Sequence, residues 1–493
     1  MLNSSVALAI QHFAKETPKK IAFIAKNEKC DYKTLAEYNR KTALYLQNNG
    51  IKPGDRVIVE ADHALEYVYF WYGIQLLGAC FVPLEKGTPS KRITEIAQEL
   101  SACAVVTLTK REDLPEAWDL YSITEEIKAT EDSFIPVTPA PDSLSEILFT
   151  TGTTGKSKGV MVSFANQVNI ALAGIETTNI KSDNVWLIPT PMNHAAGLRK
   201  AHIAAAVGST VVLLDGFKNF KLFFNTIEKY AVTSIYLPPS AIHILLTLAS
   251  KNFAALNGQI RFIYSSSTAY PETDKEKMRA LMPDTYMYNC YGCSEAGVVC
   301  ADEFCVSGGS KYAGSIGKPN SYTKIVILDD DGNEIKDSSP ERTGLTAIQS
   351  DSVMQGYWNE PEQTAKAIKN GMLVTSDICY FAPNGELILV GRSNDTINIG
   401  GFKVAPLEVE ETVLKLPFVD ECLLIPTTIA KNTALKLLVV LKDGTEMDEN
   451  AIRTLINENL EPYKMPKLIV TVPEIIKTFN GKIDRKQMIA RYE

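Results

Sequence analysis

The chain has 493 residues, too many for a single hydrophobic core, so about two to four domains are expected. Its hydrophobic content of 45% and charged content of 22% are typical of soluble globular proteins. A formal net charge of −8 argues against a nucleic-acid-binding surface, and no apolar run is long enough to span a membrane. The first residues lack the basic start and the cleavage site of a secretion signal. We therefore expect a cytoplasmic protein.

The amino-terminal third predicts helices that alternate with short apolar strands. Residues 1–20 predict an amphipathic helix that ends near Thr17. Residues 31–61 predict a helix, a stop at Gly50 and a strand. One face of this helix is formed by Leu35, Tyr38, Thr42 and Leu46. The same alternation continues to about residue 250, which predicts an α/β body with substantial parallel sheet.

A glycine-rich stretch, FTTGTTGKSKGV, covers residues 149–160. It is not a Walker A loop, because Thr150 occupies the position where that motif requires its first glycine. Small residues, hydroxyls and two lysines nevertheless suit the binding of phosphate. The stretch follows a predicted strand over residues 144–150 and precedes a helix for which Ser163 is the expected N-cap. A flexible surface turn without a ligand is the alternative.

The pattern changes after about Lys324, where alternating apolar residues flank Asp-Gly and Asn-Gly pairs. The pair Asn384-Gly385 in particular predicts a hairpin, so this portion should be antiparallel. The last residues predict two strands, a helix capped by Asp448 and a terminal helix. We expect a large domain over residues 1–393 and a small mobile α+β domain over residues 394–493.

The nine cysteines suit a chain with reduced thiols, but one group requires comment. Cys290, Cys293, Cys300 and Cys305 have C-x2-C and C-x4-C spacings that zinc sites also use. The first pair lies inside YGCSEAG, which has a different interpretation below, so free thiols are favoured over a zinc site.

Five stretches in one order carry the functional signal. They are the glycine-rich loop, PTPMNHAAGLRK (189–200), YNCYGCSEAG (288–297), TSD (375–377) with GRSNDTINIGGFKVAPLEVE (391–410), and FNGKIDR (479–485). Together they resemble the motif set of the adenylate-forming enzymes, which include acyl-CoA synthetases, peptide-synthetase adenylation domains and firefly luciferase. The resemblance implies that ATP and a carboxylic acid form an acyl-adenylate and pyrophosphate, after which a thiol displaces AMP.

The resemblance also implies a role for each motif residue. Residues that match the ATP-binding set are Thr150, Thr151, Gly152, Thr153, Thr154, Gly155, Lys158, Ser266, Tyr291, Asp377 and Arg392. In the family, the loop covers the β- and γ-phosphates, the aromatic residue stacks on adenine, and the aspartate and arginine bind the ribose. Ser294 matches a hydroxyl near the α-phosphate, and Glu295 matches the Mg²⁺-binding acid.

The acid and the moving domain are assigned in the same way. His194, Ser267 and Gly292 match positions of the acyl pocket. Lys482 matches the lysine that bridges the reacting carboxylate and the α-phosphate, and it lies 324 residues after Lys158. Asn394 matches the hinge residue, where the family usually has Asp or Lys.

Several departures limit what can be said of the substrates. Ser157 and Ser376 replace the usual Pro and Gly, and Ser266 and Ser267 replace glycines, which narrows the pocket or adds hydroxyls. The Asp that binds an α-amino group in peptide-synthetase domains is absent from the His194 motif, so a fatty or aryl acid is favoured over an amino acid. The thiol is coenzyme A or the pantetheine of a carrier protein acting in trans. A catalytically inactive binding protein is disfavoured because Lys482 and Glu295 are both present.

Overall fold

The computed structural model describes residues 4–151, 157–268, 270–399, 402–429, 432–478 and 482–493. Its helices are α1 (Val6–Glu16), α2 (Tyr32–Asn48), α3 (Leu65–Leu76), α4 (Ser90–Leu100), α5 (Leu120–Ala129), α6 (Phe164–Thr178), α7 (Ala195–Ala206), α8 (Phe220–Lys229), α9 (Pro239–Leu248), α10 (Ser250–Ala254), α11 (Glu272–Leu281), α12 (Pro361–Ala367), α13 (Pro406–Val413), α14 (Glu449–Asn459) and α15 (Arg485–Tyr492).

Its strands are β1 (Ile21–Ala25), β2 (Glu28–Asp31), β3 (Arg56–Glu60), β4 (Cys80–Leu84), β5 (Ala104–Thr107), β6 (Trp118–Asp119), β7 (Leu144–Thr151), β8 (Ser157–Ser163), β9 (Val185–Ile188), β10 (Thr210–Leu213), β11 (Ser234–Tyr236), β12 (Phe262–Ser265), β13 (Tyr286–Cys293), β14 (Gly297–Glu303), β15 (Lys318–Pro319), β16 (Lys324–Leu328), β17 (Gly344–Gln349), β18 (Gly356–Tyr357), β19 (Ile368–Lys369), β20 (Met372–Phe381), β21 (Leu387–Arg392), β22 (Ile397–Ile399), β23 (Phe402–Val404), β24 (Val419–Ile429), β25 (Asn432–Leu441) and β26 (Leu468–Thr471). No helix of this described part combines the length and the apolarity needed to cross a bilayer.

Two largely parallel sheets form the body of the large domain. Their strand orders are β15-β14-β13-β12-β11-β9-β10-β1-β2 and β18-β8-β7-β4-β3-β5-β6. One hydrophobic core contains side chains of both sheets, such as Phe23 and Phe81, together with side chains of α1, α2, α3 and α7. These helices therefore lie between the sheets. The α/β expectation from the sequence is confirmed, because buried apolar strands of this kind need helices on their faces.

Local signals in the sequence fix where these helices begin and end. The Ser5 side chain accepts a hydrogen bond from the amide of Leu8 and caps α1, which ends just before Thr17, as predicted. Asp31 caps α2 in the same way, and Leu35, Thr42 and Leu46 are buried on the predicted face. Ser163 caps α6 through a capping box with Asn166.

The portion after residue 324 is antiparallel, as its turn residues indicate. Strands β16, β17, β20 and β21 pair in that arrangement. The turn between β20 and β21 contains Asn384 and Gly385, and Gly385 has a φ of +83°, which favours glycine. This sheet packs with β8 and β14 in a third core of the large domain.

The small domain is α+β, as expected. β24 pairs antiparallel with β25, and β26 pairs parallel with β25. Helices α13 and α14 cover one face of this sheet, and α15 packs on the other. The expected boundary at residue 394 falls in an exposed turn between β21 and β22, and it stays a prediction.

The cysteine group does not converge. Cys290, Cys300 and Cys305 belong to or pack against three different cores. Cys290 and Cys300 lie on the adjacent strands β13 and β14, but one sits in the core between the sheets and the other in the third core. All nine cysteines are free thiols.

Candidate active site

The glycine-rich stretch forms a hairpin whose tip lies outside the described residues. β7 and β8 pair antiparallel, with Thr150 opposite Lys158. Gly152, Thr153, Thr154 and Gly155 fall in the segment 152–156 that is not described, as does the side chain of Thr151. The Lys158 ammonium donates to Oε1 of Gln363 at 3.2 Å and lies 5.1 Å from the centroid of the Tyr357 ring. The strand and the helix predicted on either side of the loop are thus both present.

A second hairpin carries Ser294 and Glu295 in the turn between β13 and β14. Gly292 permits the close approach of the two strands, because a Cβ there would lie 2.0 Å from the Gly297 carbonyl oxygen. Gly297 itself has a φ of +71°. The Met354 amide donates to the backbone carbonyl of Glu295 at 2.7 Å and holds the turn. Gly292 therefore has a backbone role in this structure, while its assignment to the acyl pocket stays a prediction.

One oxygen of the Glu295 carboxylate accepts a hydrogen bond, and the other is available to bind a ligand. The Tyr357 hydroxyl donates to Oε1 at 2.9 Å, and among the described residues Oε2 has no hydrogen-bond partner. The side chain is half-buried. A fixed, partly buried carboxylate with a free oxygen suits a hard cation such as Mg²⁺.

Tyr291, Asp377 and Arg392 form a connected group although they come from three strands. The Tyr291 hydroxyl donates to Oδ2 of Asp377 at 2.6 Å, and Nε of Arg392 donates to Oδ1 at 2.8 Å. Asp377 and Arg392 are directly opposite each other on β20 and β21. Asp377 is buried, whereas the Arg392 side chain is about half exposed at 53%. Each carboxylate oxygen keeps a second lone pair, so Asp377 can still accept hydroxyl donors.

Lys482, on the small domain, lies within electrostatic range of this group. Burial and the positive charge of Arg392 lower its pKa, and the carboxylates of Glu295 and Asp377 act in the opposite direction. On the other side of the site, burial and then the charge of Lys482 lower the pKa of His194 to about 4. The ammonium of Lys482 is thus within electrostatic range of four predicted site residues of the large domain.

His194 and the serines line a separate region at the carboxyl ends of the parallel strands. His194 is the N-cap of α7, and its Nε2 lies 3.3 Å from Nδ2 of Asn193. The Tyr236 hydroxyl lies 3.3 Å from Oγ of Ser266 and 3.2 Å from Oγ of Ser267. Ser267 has a φ of +97°, a conformation that favours glycine, which explains why glycines are usual there. Crevices at this edge of parallel sheets commonly bind ligands.

Two predicted site residues take no part in these contacts. Asn394 is exposed in the turn between β21 and β22, and Ser294 has no side-chain hydrogen bond among the described residues. Two residues that the sequence did not single out contribute contacts to the site, namely Tyr357 and Gln363. The sequence carried no signal for them, since about 200 residues separate both from Lys158.

Comparison with known proteins identifies similar chains over nearly the whole length. A family profile described as AMP-binding enzyme matches residues 10–358, and one described as AMP-binding enzyme C-terminal domain matches residues 408–482. A mycosubtilin synthase polypeptide of Bacillus subtilis is 26% identical, over 96% of this chain but only 19% of that protein. 4-Coumarate–CoA ligase 2 of Nicotiana tabacum is also 26% identical, over 92% of this chain and 88% of the ligase.

Solved structures share the fold. ATP-bound MatB from Rhodopseudomonas palustris superposes with a TM-score of 0.88 at 21% identity and covers 99% of both chains. The o-succinylbenzoate CoA synthetase MenE from Bacillus subtilis, in complex with its acyl-adenylate intermediate, has a TM-score of 0.84 at 23% identity over 97% of both chains.

Proposed function

We propose that this chain, which belongs to the AMP-binding enzyme family, is an ATP-dependent acid–thiol ligase. Its reaction has two steps. In the first step, a carboxylate oxygen of the substrate attacks the α-phosphorus of ATP, and the bond from that phosphorus to the pyrophosphate oxygen breaks. In the second step, a thiolate attacks the acyl carbon of the adenylate, and AMP leaves with the bridging oxygen. The products are a thioester, AMP and pyrophosphate.

The observation that carries this proposal is the position of Lys482. A lysine of the small domain lies within electrostatic range of Glu295, Asp377 and Arg392 of the large domain, and its charge also acts on His194. Negative charge is spread around the transferring phosphorus, so positioned cations supply much of the catalysis. Lys482 would bridge the reacting carboxylate and the α-phosphate, and docking of the small domain would complete the site.

The other residues would bind and orient the nucleotide. Asp377 and Arg392 would hold the ribose, Tyr291 would stack on adenine, and Ser266 would contact the base. Lys158 and the hydroxyl-rich loop before it would hold the β- and γ-phosphates. Ser294 would donate a hydrogen bond near the α-phosphate. Glu295 would bind Mg²⁺ through its free oxygen, and the ion would neutralise phosphate charge when it is bound.

The acid is proposed to be a carboxylic acid without an α-amino group, either aliphatic or aryl, and coenzyme A is proposed as the thiol. The similarity to 4-coumarate–CoA ligase 2 over 88% of that ligase favours coenzyme A. The alternative is the pantetheine of a carrier protein, favoured by the similarity to the mycosubtilin synthase polypeptide. The two acceptors are distinguished by supplying either saturating coenzyme A or a panel of carrier proteins. The thiol that becomes acylated identifies the acceptor.

The test of adenylation is pyrophosphate release with ATP, Mg²⁺ and a panel of fatty, aryl and amino acids. The wild type should release pyrophosphate with at least one acid. Lys482→Ala should lower that rate by about 10²–10³, the usual effect of removing a group that stabilises transition-state charge. Lys486→Ala is the matched control, because Lys486 is an exposed lysine on α15 and should leave the rate unchanged. Equal rates for wild type and Lys482→Ala would contradict the assignment of the lysine.

A further inference from the structure

Lys200 is a buried cation to which the two reaction steps assign no role. It lies on α7, six residues after His194, and only 6% of it is exposed. Its ammonium lies between the ring of Tyr236, the last residue of β11, and the ring of Tyr264, near the end of β12. Lys200 therefore reaches the carboxyl-terminal edge of the sheet.

The surroundings of the Lys200 ammonium are aromatic and lack an anion. It lies 4.8 Å from the centroid of the Tyr236 ring and 4.4 Å from that of the Tyr264 ring, and both tyrosines are buried. Within the part of the chain that the structure describes, no carboxylate oxygen lies within 4.0 Å of it and no group accepts a hydrogen bond from it. Ring faces offset part of the cost of burying a cation, but an ammonium has three protons to donate.

The buried carboxylate that packs against α7, Glu146, is already paired. Glu146 pairs with Arg199, the preceding residue of α7, and its other oxygen faces His202 at 3.5 Å. Successive helix residues point about 100° apart, so Arg199 and Lys200 serve different sides of the helix. Burial lowers the pKa of Lys200 to about 8, with Arg199 contributing in the same direction and Cys290 opposing it. A buried charge without a partner is costly, so proteins seldom keep one without a use.

Side-chain contacts connect the surroundings of Lys200 to the residues of the proposed acyl pocket. Tyr236, whose ring faces the ammonium, also contacts the hydroxyls of Ser266 and Ser267. His194, at the start of the same helix, lies within electrostatic range of Lys482. An acid whose carboxylate reacts beside Lys482 therefore extends along α7 toward Lys200.

We propose that Lys200 binds a second anionic group of the substrate, so that the acid activated by this protein is a dicarboxylic acid. The inference rests on the proposed function, since it names the substrate class of that site. The second carboxylate takes no part in the bond changes. It accepts hydrogen bonds from the Lys200 ammonium and supplies the negative charge that no neighbouring side chain among the described residues provides.

The test compares linear α,ω-dicarboxylic acids of increasing length with the monocarboxylic acids of equal carbon number. For each pair, kcat/KM for pyrophosphate release is measured in wild type and in Lys200→Met, which keeps an unbranched side chain one atom shorter and removes the charge. The wild type should prefer the diacid of the best length by about 10- to 100-fold, as a charge-assisted contact in a buried site provides. Lys200→Met should lose this preference while it keeps its activity on the monoacid.

Lys275→Met is the matched control. Lys275 is equally buried and lies 5.6 Å from the centroid of the Phe304 ring, but Asp302 and Glu272 each lie 3.5 Å from its ammonium. This variant should keep the preference for the diacid. A wild type that prefers the monoacids, or a preference that survives in Lys200→Met, would overturn the inference.

A binding measurement distinguishes a failure of this inference from a failure of the proposed function. If no acid gives pyrophosphate, adenylation is contradicted, and the second site is judged by thermal stabilisation of the protein with ATP and a diacid. Stabilisation by the diacid that Lys200→Met abolishes supports the site. Equal stabilisation of both proteins, or none in the wild type, overturns it. Melting of each variant without ligand shows whether it is folded.

Discussion

Replacing His243 by glutamine should weaken the contact between the two domains and remove its dependence on pH. His243 lies on α9 of the large domain, and its Nδ1 is 2.9 Å from Oδ2 of Asp274 on α11. Its Nε2 is 3.5 Å from Oδ1 of Asp420 on β24 of the small domain. The two carboxylates, Asp274 first and Asp420 second, raise the pKa of His243 to about 9.

The free energy that His243 contributes to the contact between the domains follows from this pKa shift. From an ordinary value of 6.5 to about 9 is roughly 2.5 pKa units, or about 3 kcal/mol for both carboxylates together. Asp274 belongs to the same domain as His243 and is the nearer partner, so less than half of this energy acts across the interface. About 1 kcal/mol remains, which corresponds to roughly a fivefold change in the ratio of docked to undocked small domain.

The direction of the pH dependence follows from the raised pKa of His243. The charged imidazole stabilises the docked arrangement fully below about pH 6.5, and this contribution is lost as the pH rises through about 9. Other charged groups near the contact are Lys277, 3.2 Å from Asp274, and Lys477, 2.7 Å from Glu421 on β24. Lys442 also acts on Asp420.

The assay is a double-mutant cycle with His243→Gln and Asp420→Asn, read out by hydrogen–deuterium exchange of the α9 and β24 amides as protection factors. The two substitutions should be coupled by about 1 kcal/mol at pH 6.5 and uncoupled near pH 10. The matched control is a second double-mutant cycle with Asp274→Asn and Asp420→Asn, in which His243 is retained. Additive effects of His243→Gln and Asp420→Asn at pH 6.5 would refute the reasoning, as would a coupling that is equal at both pH values.

Three further predictions concern the site. Tyr357→Phe removes the donor to Glu295 and should lower kcat/KM about tenfold at limiting Mg²⁺, whereas Tyr322→Phe, at an exposed tyrosine, should not; equal values would contradict the role of this hydrogen bond. Gly292→Ala should destabilise the protein by about 1–3 kcal/mol in chemical unfolding, because the new Cβ meets a backbone carbonyl, and an unchanged midpoint would be contrary evidence. The diacid preference in kcat/KM should be full at about pH 6–7, where the second carboxylate is ionised, and fall as the pH rises through about 8, where free Lys200 loses its proton; a flat profile would exclude a charged Lys200.

The sequence predicted local structure well because the deciding interactions are local. Ser163 and Asp448 cap helices as predicted, and Asn384-Gly385 turns the chain between β20 and β21. The grouping of Tyr291 with Asp377 and Arg392 was expected only through resemblance to a family. Tyr291 and Asp377 are 86 positions apart and lie in two different sheets, so no local periodicity relates them.

The role of Lys200 could not be read from the sequence for a physical reason. A lysine in an apolar helix is ordinarily a surface residue that extends its stem over hydrophobic neighbours. Whether its ammonium reaches water or a closed interior depends on the side chains of β11 and β12, here Tyr236 and Tyr264. Those tyrosines come from strands more than thirty residues further along the chain. Tertiary packing, rather than local pattern, decides the outcome.

The chemistry and the recognition of the acid are carried by different parts of the framework. The groups proposed to bind ATP and to act on it come from two hairpins, from β20 and β21, and from the small domain, whereas Lys200 comes from the buried helix α7. A substitution on α7 therefore leaves the reacting groups in place. Selection, in nature or in the laboratory, can exchange the acid that is accepted while it keeps the same ATP-consuming machinery, and this helix is where a directed library should begin.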